Sequence, residues 1–224
     1  MTEALIFDFD GVIIDTETPD YSSWQETFAS FQVTLDRTLW AGFIGGASGT
    51  FDVYQHLQDL MGAPFDRDSV RTTRRKRYLD LVEANPVRPG VEEYLEDAKR
   101  LGLRLGIASS SSRDWVEGHL RRRGLLGYFD QVVCRDDVTS VKPDPEVYVR
   151  CADGLGARPE ATVAIEDSAN GVTAAKGAGL FCVVVPNPMT ADMDLGNADL
   201  RLDALTYMPL EAVLEAAARR TGRL

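Results

Sequence analysis

The chain has 224 residues, with 24 Lys and Arg against 35 Asp and Glu, so its formal net charge is −11. So acidic a surface argues against nucleic acid or an anionic membrane as the main partner, and an anionic ligand would need a local positive site to overcome the field. No apolar run approaches a membrane span and no signal peptide is evident, so a cytoplasmic, monomeric protein is expected. Three widely spaced cysteines, Cys134, Cys151 and Cys182, each fall in an apolar stretch and read as buried free thiols. His56 and His119 have no ligand-patterned neighbours, so no zinc site is expected.

The apolar run of residues 4–10 predicts a buried strand that breaks at Gly11. From Thr16 the pattern turns helical, with Tyr21, Trp24, Phe28 and Phe31 at helical spacing. A Gly-rich break over residues 42–49 follows. Val53, Tyr54, Leu57, Leu60 and Met61 then mark a second helix, and Val70, Tyr78, Leu81 and Val82 a third. After Pro86-Val-Arg-Pro-Gly90, strands and helices alternate. Val91 to Leu101 reads as helix, Leu103 to Ala108 as a strand ending in four serines, and Trp115 to Leu120 as helix. Phe129 to Cys134 reads as strand, and Asp144-Pro145 as the start of a helix running to Leu155. Thr162–Ile165 and Phe181–Val185 are strands around a helix at Ala169–Ala178. A short strand near Leu200 and a helix at Leu210–Arg219 close the chain.

That alternation implies an α/β fold, a Rossmann-like parallel sheet covered on both faces. The all-helical stretch interrupts it directly after the first strand and reads as an inserted lid over the strand ends. The expected organisation is a catalytic core of residues 1–15 plus 87–224 and an all-α cap domain of residues 16–86.

In such a sheet the carboxyl ends of the strands lie along one ligand-binding edge. Asp8 and Asp10 end the first strand, and alternation points residues two apart the same way. Two carboxylates that close repel, so a proton, a basic side chain or a metal must neutralise them. Ser109, Ser110, Ser111 and Ser112 end the second strand, Lys142 follows the third, and Glu166-Asp167 ends the fourth. Singly these could be turn caps or helix-dipole partners. Together they form one site. Asp8, Glu166 and Asp167 supply hard oxygen ligands suited to Mg²⁺. A cation there keeps Asp8 ionised and able to attack phosphorus. Lys142 and the serines would hold phosphoryl oxygens, and Asp10 would shuttle a proton.

The stretches Asp8-Phe-Asp-Gly-Val-Ile-Ile-Asp-Thr-Glu17, Ile107-Ala-Ser-Ser110, Lys142-Pro-Asp-Pro-Glu-Val-Tyr148 and Ile165-Glu-Asp-Ser-Ala-Asn-Gly171 resemble, in order, the four motifs of the haloacid-dehalogenase-like superfamily. The helical insert resembles the cap of its β-phosphoglucomutase-like and phosphatase branch. The resemblance implies an aspartyl-phosphate intermediate on Asp8, with Asp10 as general acid and base. It also implies Ser109 and Lys142 as phosphoryl-binding groups, and a Mg²⁺ site of Asp8, the Asp10 carbonyl, Glu166 and Asp167.

Asp10 argues against the dehalogenases, which lack this metal and acid pair, and against the phosphonate-cleaving branch, which lacks the second Asp and uses a cap lysine. β-Phosphoglucomutases resemble the chain in every core motif but carry a basic pair near the cap's Gly-rich turn and a histidine in the first cap helix. Here residues 44–50 hold no Lys or Arg, and Asp20 stands at the histidine position. The expected activity is therefore Mg²⁺-dependent hydrolysis of a small phosphorylated metabolite, a sugar or nucleoside phosphate. A hexose-phosphate mutase is the alternative, and a receiver-like phospho-acceptor module is an alternative of another class. Arg74 sits at helical spacing between Val70 and Tyr78 on the apolar stripe, so it is expected, with Arg71, to reach the substrate's leaving group.

Overall fold

The protein's structure, a computed structural model, describes residues 1–41 and 52–220. The Gly-rich turn on which the mutase argument drew lies outside them. Six parallel strands form one sheet: β1 (Ala4–Phe7), β2 (Arg104–Ala108), β3 (Gln131–Val133), β4 (Thr162–Glu166), β5 (Phe181–Val184) and β6 (Leu200–Arg201). Their order is β3-β2-β1-β4-β5-β6. The order therefore reverses at β1, which has β2 on one side and β4 on the other, and that reversal opens a crevice at the carboxyl ends.

Both faces of the sheet are covered, which is why its strands read as unbroken apolar runs. Alternation assigns the residues of β1 to opposite sides. Leu5 and Phe7 join a core with helices α5 (Val91–Arg100), α6 (Arg113–Arg122) and α9 (Leu210–Arg220), and Ala4 and Ile6 join one with α7 (Glu146–Leu155) and α8 (Ala169–Gly177). Cys134, Cys151 and Cys182 are buried and free of disulfides. Among the described residues no helix is long and apolar enough to cross a membrane.

Among the described residues, the segment between β1 and α5 holds four helices: α1 (Glu17–Ser30), α2 (Arg37–Ala41), α3 (Val53–Met61) and α4 (Arg67–Ala84). Asp52 and Asp66 cap α3 and α4 by accepting from their first backbone N–H groups. Tyr21, Trp24, Phe28, Leu35 and Leu57 form a separate small core, joined by Met189 from the sheet layer. Tyr78 and Val82, on the second half of α4, instead join the core of the sheet. The short α2 was not expected, because five residues span too little of a helix to display its period.

Two boundaries differ from the expected ones in ways that matter for the site. β1 ends at Phe7, and the Asp8 N–H still donates to the Ile165 carbonyl at 2.9 Å. The chain then folds into a tight turn in which Ile13 N donates to Phe9 O (2.9 Å) and Gly11 N to Ile14 O (2.7 Å). Gly11 makes this possible with φ of 79°. Asp8 thus continues the pairing of β1 with β4, whereas Asp10 owes its placement to the turn and not to strand alternation. The expected strand from Phe129 shrinks to Gln131–Val133 behind a 3₁₀ turn at Leu126–Tyr128.

The two connections to the helical segment run side by side. Asn85 Nδ2 donates to the Asp15 carbonyl at 2.8 Å, and Arg88 N donates to Ile13 O at 2.9 Å. The Arg88 guanidinium binds the carbonyls of Gly11, Val185 and Pro186, tying the turn after β1 to the end of β5.

Candidate active site

β1 and β4 are neighbours in register, so Asp8 and the pair Glu166-Asp167 leave the sheet side by side. One oxygen from each of the three carboxylates lies within 4.8 Å of the others, and all three residues are buried. Lys142 reaches in from the loop before α7, with Nζ 2.5 Å from Asp8 Oδ1 and 2.7 Å from Glu166 Oε1. Burial works against its ammonium, but Asp8 and Glu166 outweigh burial and hold its pKa above the ordinary value. Burial pushes the Asp8 carboxyl up, Lys142 opposes this, and Glu166 and Asp10 add repulsion. Asp167 is raised by burial and by the Asp8 and Glu166 charges.

One lysine against three buried carboxylates leaves excess negative charge, and a hard divalent cation suits this all-oxygen set. The three acids are not equivalent ligands. Glu166 Oε1 accepts from Lys142 and from Tyr148 Oη (2.5 Å), and Oε2 accepts from Asp167 N (3.1 Å) and Ser168 Oγ (3.4 Å). Protein donors thus occupy both of its oxygens. Asp167 is held only through Oδ2, by Asn187 Nδ2 at 2.6 Å, so its other oxygen is the better donor to a cation.

Asp10 stands on the far side of the turn. Its Oδ2 accepts from Ser111 Oγ at 2.5 Å and its Oδ1 from the Trp115 indole N–H at 2.9 Å. Ser109 is buried at the end of β2, and its Oγ accepts from Ser111 N at 3.0 Å, leaving its own proton free to donate. Ser110 Oγ is buried with no hydrogen-bond partner among the described residues, although it lines a cavity. A buried hydroxyl without a partner is costly, and a ligand oxygen would relieve that cost.

The cavity, of about 820 Å³, opens over Asp8, Asp10, Asp167 and Lys142, with α1 and α4 forming its outer wall. From those helices Glu17, Asp20, Arg75 and Tyr78 line it. Arg74 does not. Its guanidinium pairs with Asp20, touches Ser23 Oγ at 3.2 Å and lies 4.6 Å from the Trp24 ring. Arg71 is exposed and pairs with Asp68. The helical stripe carried Arg74 to the right face of α4, but an acid on α1 captures its long side chain. Arg75, one residue on, has no ion pair among the described residues and reaches the cavity. Burial pushes the Glu17 carboxyl up to about 8, helped by repulsion from Asp10 and Asp20.

A sequence model of the haloacid dehalogenase-like hydrolases matches residues 5–185. The chain belongs to this family. YhcW of Bacillus subtilis (strain 168) is 43% identical over 96% of the chain and 97% of its own length. Hexitol phosphatase B of Escherichia coli (strain K12) is 33% identical over 94% and 96%. Among solved structures, CbbY of Rhodobacter sphaeroides in complex with phosphate superposes with a TM-score of 0.71 at 32% identity, covering 92% of this chain and 95% of that one. Within the haloacid dehalogenase-like family, this chain is a phosphoric monoester hydrolase.

Local sequence assigned no role to several residues that shape this hydrolase site. Tyr148 ends the third motif and lies on the apolar stripe of α7, and its hydroxyl donates to Glu166. Asn187 follows the proline that stops β5, yet it holds Asp167. Gly171 was quoted only as the end of a motif. A Cβ there would fall 1.9 Å from Glu166 Oε2, so α8 can start against β4 only with glycine at this position. Gly171→Ala must therefore shift the helix or the carboxylate. We expect it to lower stability by about 1–3 kcal/mol in urea unfolding. A change below about 0.5 kcal/mol would mean that the helix start yields freely.

Proposed function

We propose that the protein is a Mg²⁺-dependent phosphatase of small phosphomonoesters, sugar or nucleoside phosphates, working through an aspartyl-phosphate on Asp8. The supporting observation is the Asp8 carboxylate, held by Lys142 at 2.5 Å on the floor of a cavity that Asp10 and Ser110 also line. Asp8 and Asp167, with the Asp10 carbonyl and with Glu166 as the weaker contributor, would hold the cation. Bound there, Mg²⁺ would neutralise charge on the phosphoryl oxygens and keep Asp8 ionised.

In this reading Lys142, Ser109 and Ser110 bind the phosphoryl oxygens and fix phosphorus in line with Asp8. Asp8 Oδ attacks, the ester P–O bond breaks, and Asp10 gives its proton to the departing alkoxide. Asp10, now a carboxylate, removes a proton from water as its oxygen attacks phosphorus. Inorganic phosphate leaves, Asp8 is regenerated, and Asp10 is protonated for the next cycle. Net consumption is one water per ester. The cap helices limit bulk water during both steps.

The cavity wall supports a polyhydroxylated leaving group. Glu17 offers a carboxyl that can hydrogen-bond hydroxyl groups. Tyr78, whose pKa burial and nearby acids raise above its ordinary value, keeps its phenolic proton as a donor. Arg75 and Arg135 also line the cavity, so a second phosphate could be held there, and this keeps the mutase as the second reading. A receiver-like module has no use for a cavity or for a second acid.

The test is phosphate release from a panel of sugar and nucleotide monophosphates with Mg²⁺ and with EDTA. Release that requires Mg²⁺ is the expected result. If no member of the panel releases phosphate, while β-glucose 1-phosphate isomerises once a bisphosphate primer is added, the mutase reading replaces the phosphatase one. A stable acyl-phosphate without turnover would favour the receiver reading.

A further inference from the structure

Asp10 must change protonation twice per turnover, so what holds its carboxylate matters as much as its presence. Two side chains do so, Ser111 and Trp115. Trp115 belongs to α6 of the sheet layer, but its surroundings reach across to the cap. Its ring stacks on Tyr78 of α4 at a centroid distance of 5.8 Å and an interplanar angle of 12°. The Arg75 guanidinium, also from α4, lies 5.3 Å from the Tyr78 ring and 5.4 Å from the Trp115 ring. On its other side Trp115 meets His119 edge-on at 4.2 Å.

His119 in turn leads to the chain's exit from the cap. Its Nδ1 faces Arg122 at 3.0 Å and Arg123 at 3.1 Å, and an arginine can only donate, so Nδ1 is the accepting nitrogen of a neutral ring. Burial and the Arg122 and Arg123 charges push the pKa of His119 down to about 4, consistent with that tautomer. Arg123 also donates to the Val82 carbonyl (3.0 Å) and the Asn85 carbonyl (3.1 Å), where α4 ends and the chain returns to the sheet. Contacts therefore run from both the face and the exit of α4 to a single indole N–H on the catalytic acid.

We propose that Trp115 is a positioning residue for Asp10, holding its carboxylate through the indole N–H and relaying to it whether α4 of the cap is seated on α6. The inference rests on the reading of Asp10 as the acid and base. It goes further by naming the group that places Asp10 and by making cap seating a condition of proton transfer. A rotated indole, freed from Tyr78, loses the line from Nε1 to Asp10 Oδ1, and a single serine hydroxyl then holds the acid.

The test separates placement of the acid from binding and from folding. Trp115→Phe keeps a six-membered aromatic ring against Tyr78 and His119 and removes the N–H together with the five-membered ring that carries it. An alkoxide leaving group needs a proton from Asp10, whereas p-nitrophenolate departs without one. We expect Trp115→Phe to lower kcat/KM about 10- to 100-fold for the best sugar phosphate of the panel, and less than about threefold for p-nitrophenyl phosphate. KM should stay within about twofold and Tm should not move. Tyr78→Phe, which keeps the stacked ring and removes only the hydroxyl, is the control for lost leaving-group binding, and Tyr78→Leu, which also removes the ring but leaves the N–H, should show a selective loss about 3- to 10-fold beyond that of Tyr78→Phe. Ser111→Ala, which removes the other donor, serves as the second variant if Trp115→Phe does not fold, and the same leaving-group selectivity is expected of it. Equal losses on both substrates, or none on either, in Trp115→Phe overturn the positioning role. Equal losses in Tyr78→Leu, or a selective loss no greater than that of Tyr78→Phe, overturn the relay. The parent reading fails separately, if Asp8→Asn still releases phosphate. A native leaving-group ratio in Trp115→Phe alongside an inactive Asp8→Asn defeats this inference alone.

Discussion

Asp8→Asn is expected to abolish phosphate release while leaving the protein at least as stable as before. The amide matches the carboxylate in size but has no lone pair nucleophilic enough to attack phosphorus, so turnover should fall by a factor on the order of 10⁴ or more. The stability side follows from the electrostatics of the floor. Burial, with repulsion from Glu166 and Asp10, outweighs the help of Lys142 and raises the Asp8 pKa. A raised carboxyl pKa means that folding disfavours the ionised form relative to the neutral one. A neutral amide at that position removes the repulsion, although Lys142 loses one of its two acceptors. Urea unfolding in EDTA should therefore show a midpoint equal to or above the native one. Activity traded against stability in this direction marks a residue kept for chemistry. A clear drop in the midpoint would assign Asp8 a structural role, and residual turnover above about 1% of native would move the nucleophile elsewhere.

Lys142→Met should have the opposite signature, losing both activity and stability. The lysine side chain is 6% exposed, and its partners Asp8 and Glu166 are 10% and 0% exposed. Removing the cation leaves Asp8, Glu166 and Asp167 as buried carboxylates with no counter-charge among them. Breaking a buried pair by deleting one partner costs about 3–5 kcal/mol, because the remaining charge stays desolvated. We expect a loss of that size in urea at pH 7 in EDTA. The loss should shrink as pH is lowered. Asp8 and Asp167 already have folded pKa values above their unfolded ones, and without Lys142 these rise further. The folded state then binds protons the unfolded chain does not, so the stability they contribute returns below that window and falls as pH rises through it. Added Mg²⁺ should also return part of the loss, a readout independent of turnover. A deficit below about 1 kcal/mol, or one that grows toward acid pH, would show that the carboxylates are not balanced by this lysine.

Much of this protein is determined by local sequence. Apolar runs closed by Gly11, Ser109 and Pro186 mark strands buried on both faces, and the structure places them in one parallel sheet. The polar residues after those runs had to meet along one edge, because a parallel sheet sends every strand's carboxyl end the same way. Asp8, Lys142, Glu166 and Asp167 are therefore readable as one cluster from the sequence alone, and the four motifs carry the family.

Tertiary structure decided which partner each long side chain takes. Arg74 and Arg75 are neighbours on one helix face, and periodicity favoured Arg74 for the cavity. The position of Asp20 on α1, 54 residues away in sequence, captures Arg74 and leaves Arg75 to line the cavity. The same holds for Tyr148 on Glu166, Asn187 on Asp167 and Trp115 on Asp10. Each looked like an ordinary core or loop residue, because spacing along the chain encodes a face but not what stands opposite it. Even the placement of Asp10 follows a turn permitted by the left-handed Gly11 rather than strand alternation. Local sequence determines backbone form and burial, since these depend on neighbours within a few residues. The hydrogen bonds that join elements at the site, from Tyr148 to Glu166 up to Lys142 to Asp8, link residues 18 to 134 positions apart, and only the packing of whole elements brings those together.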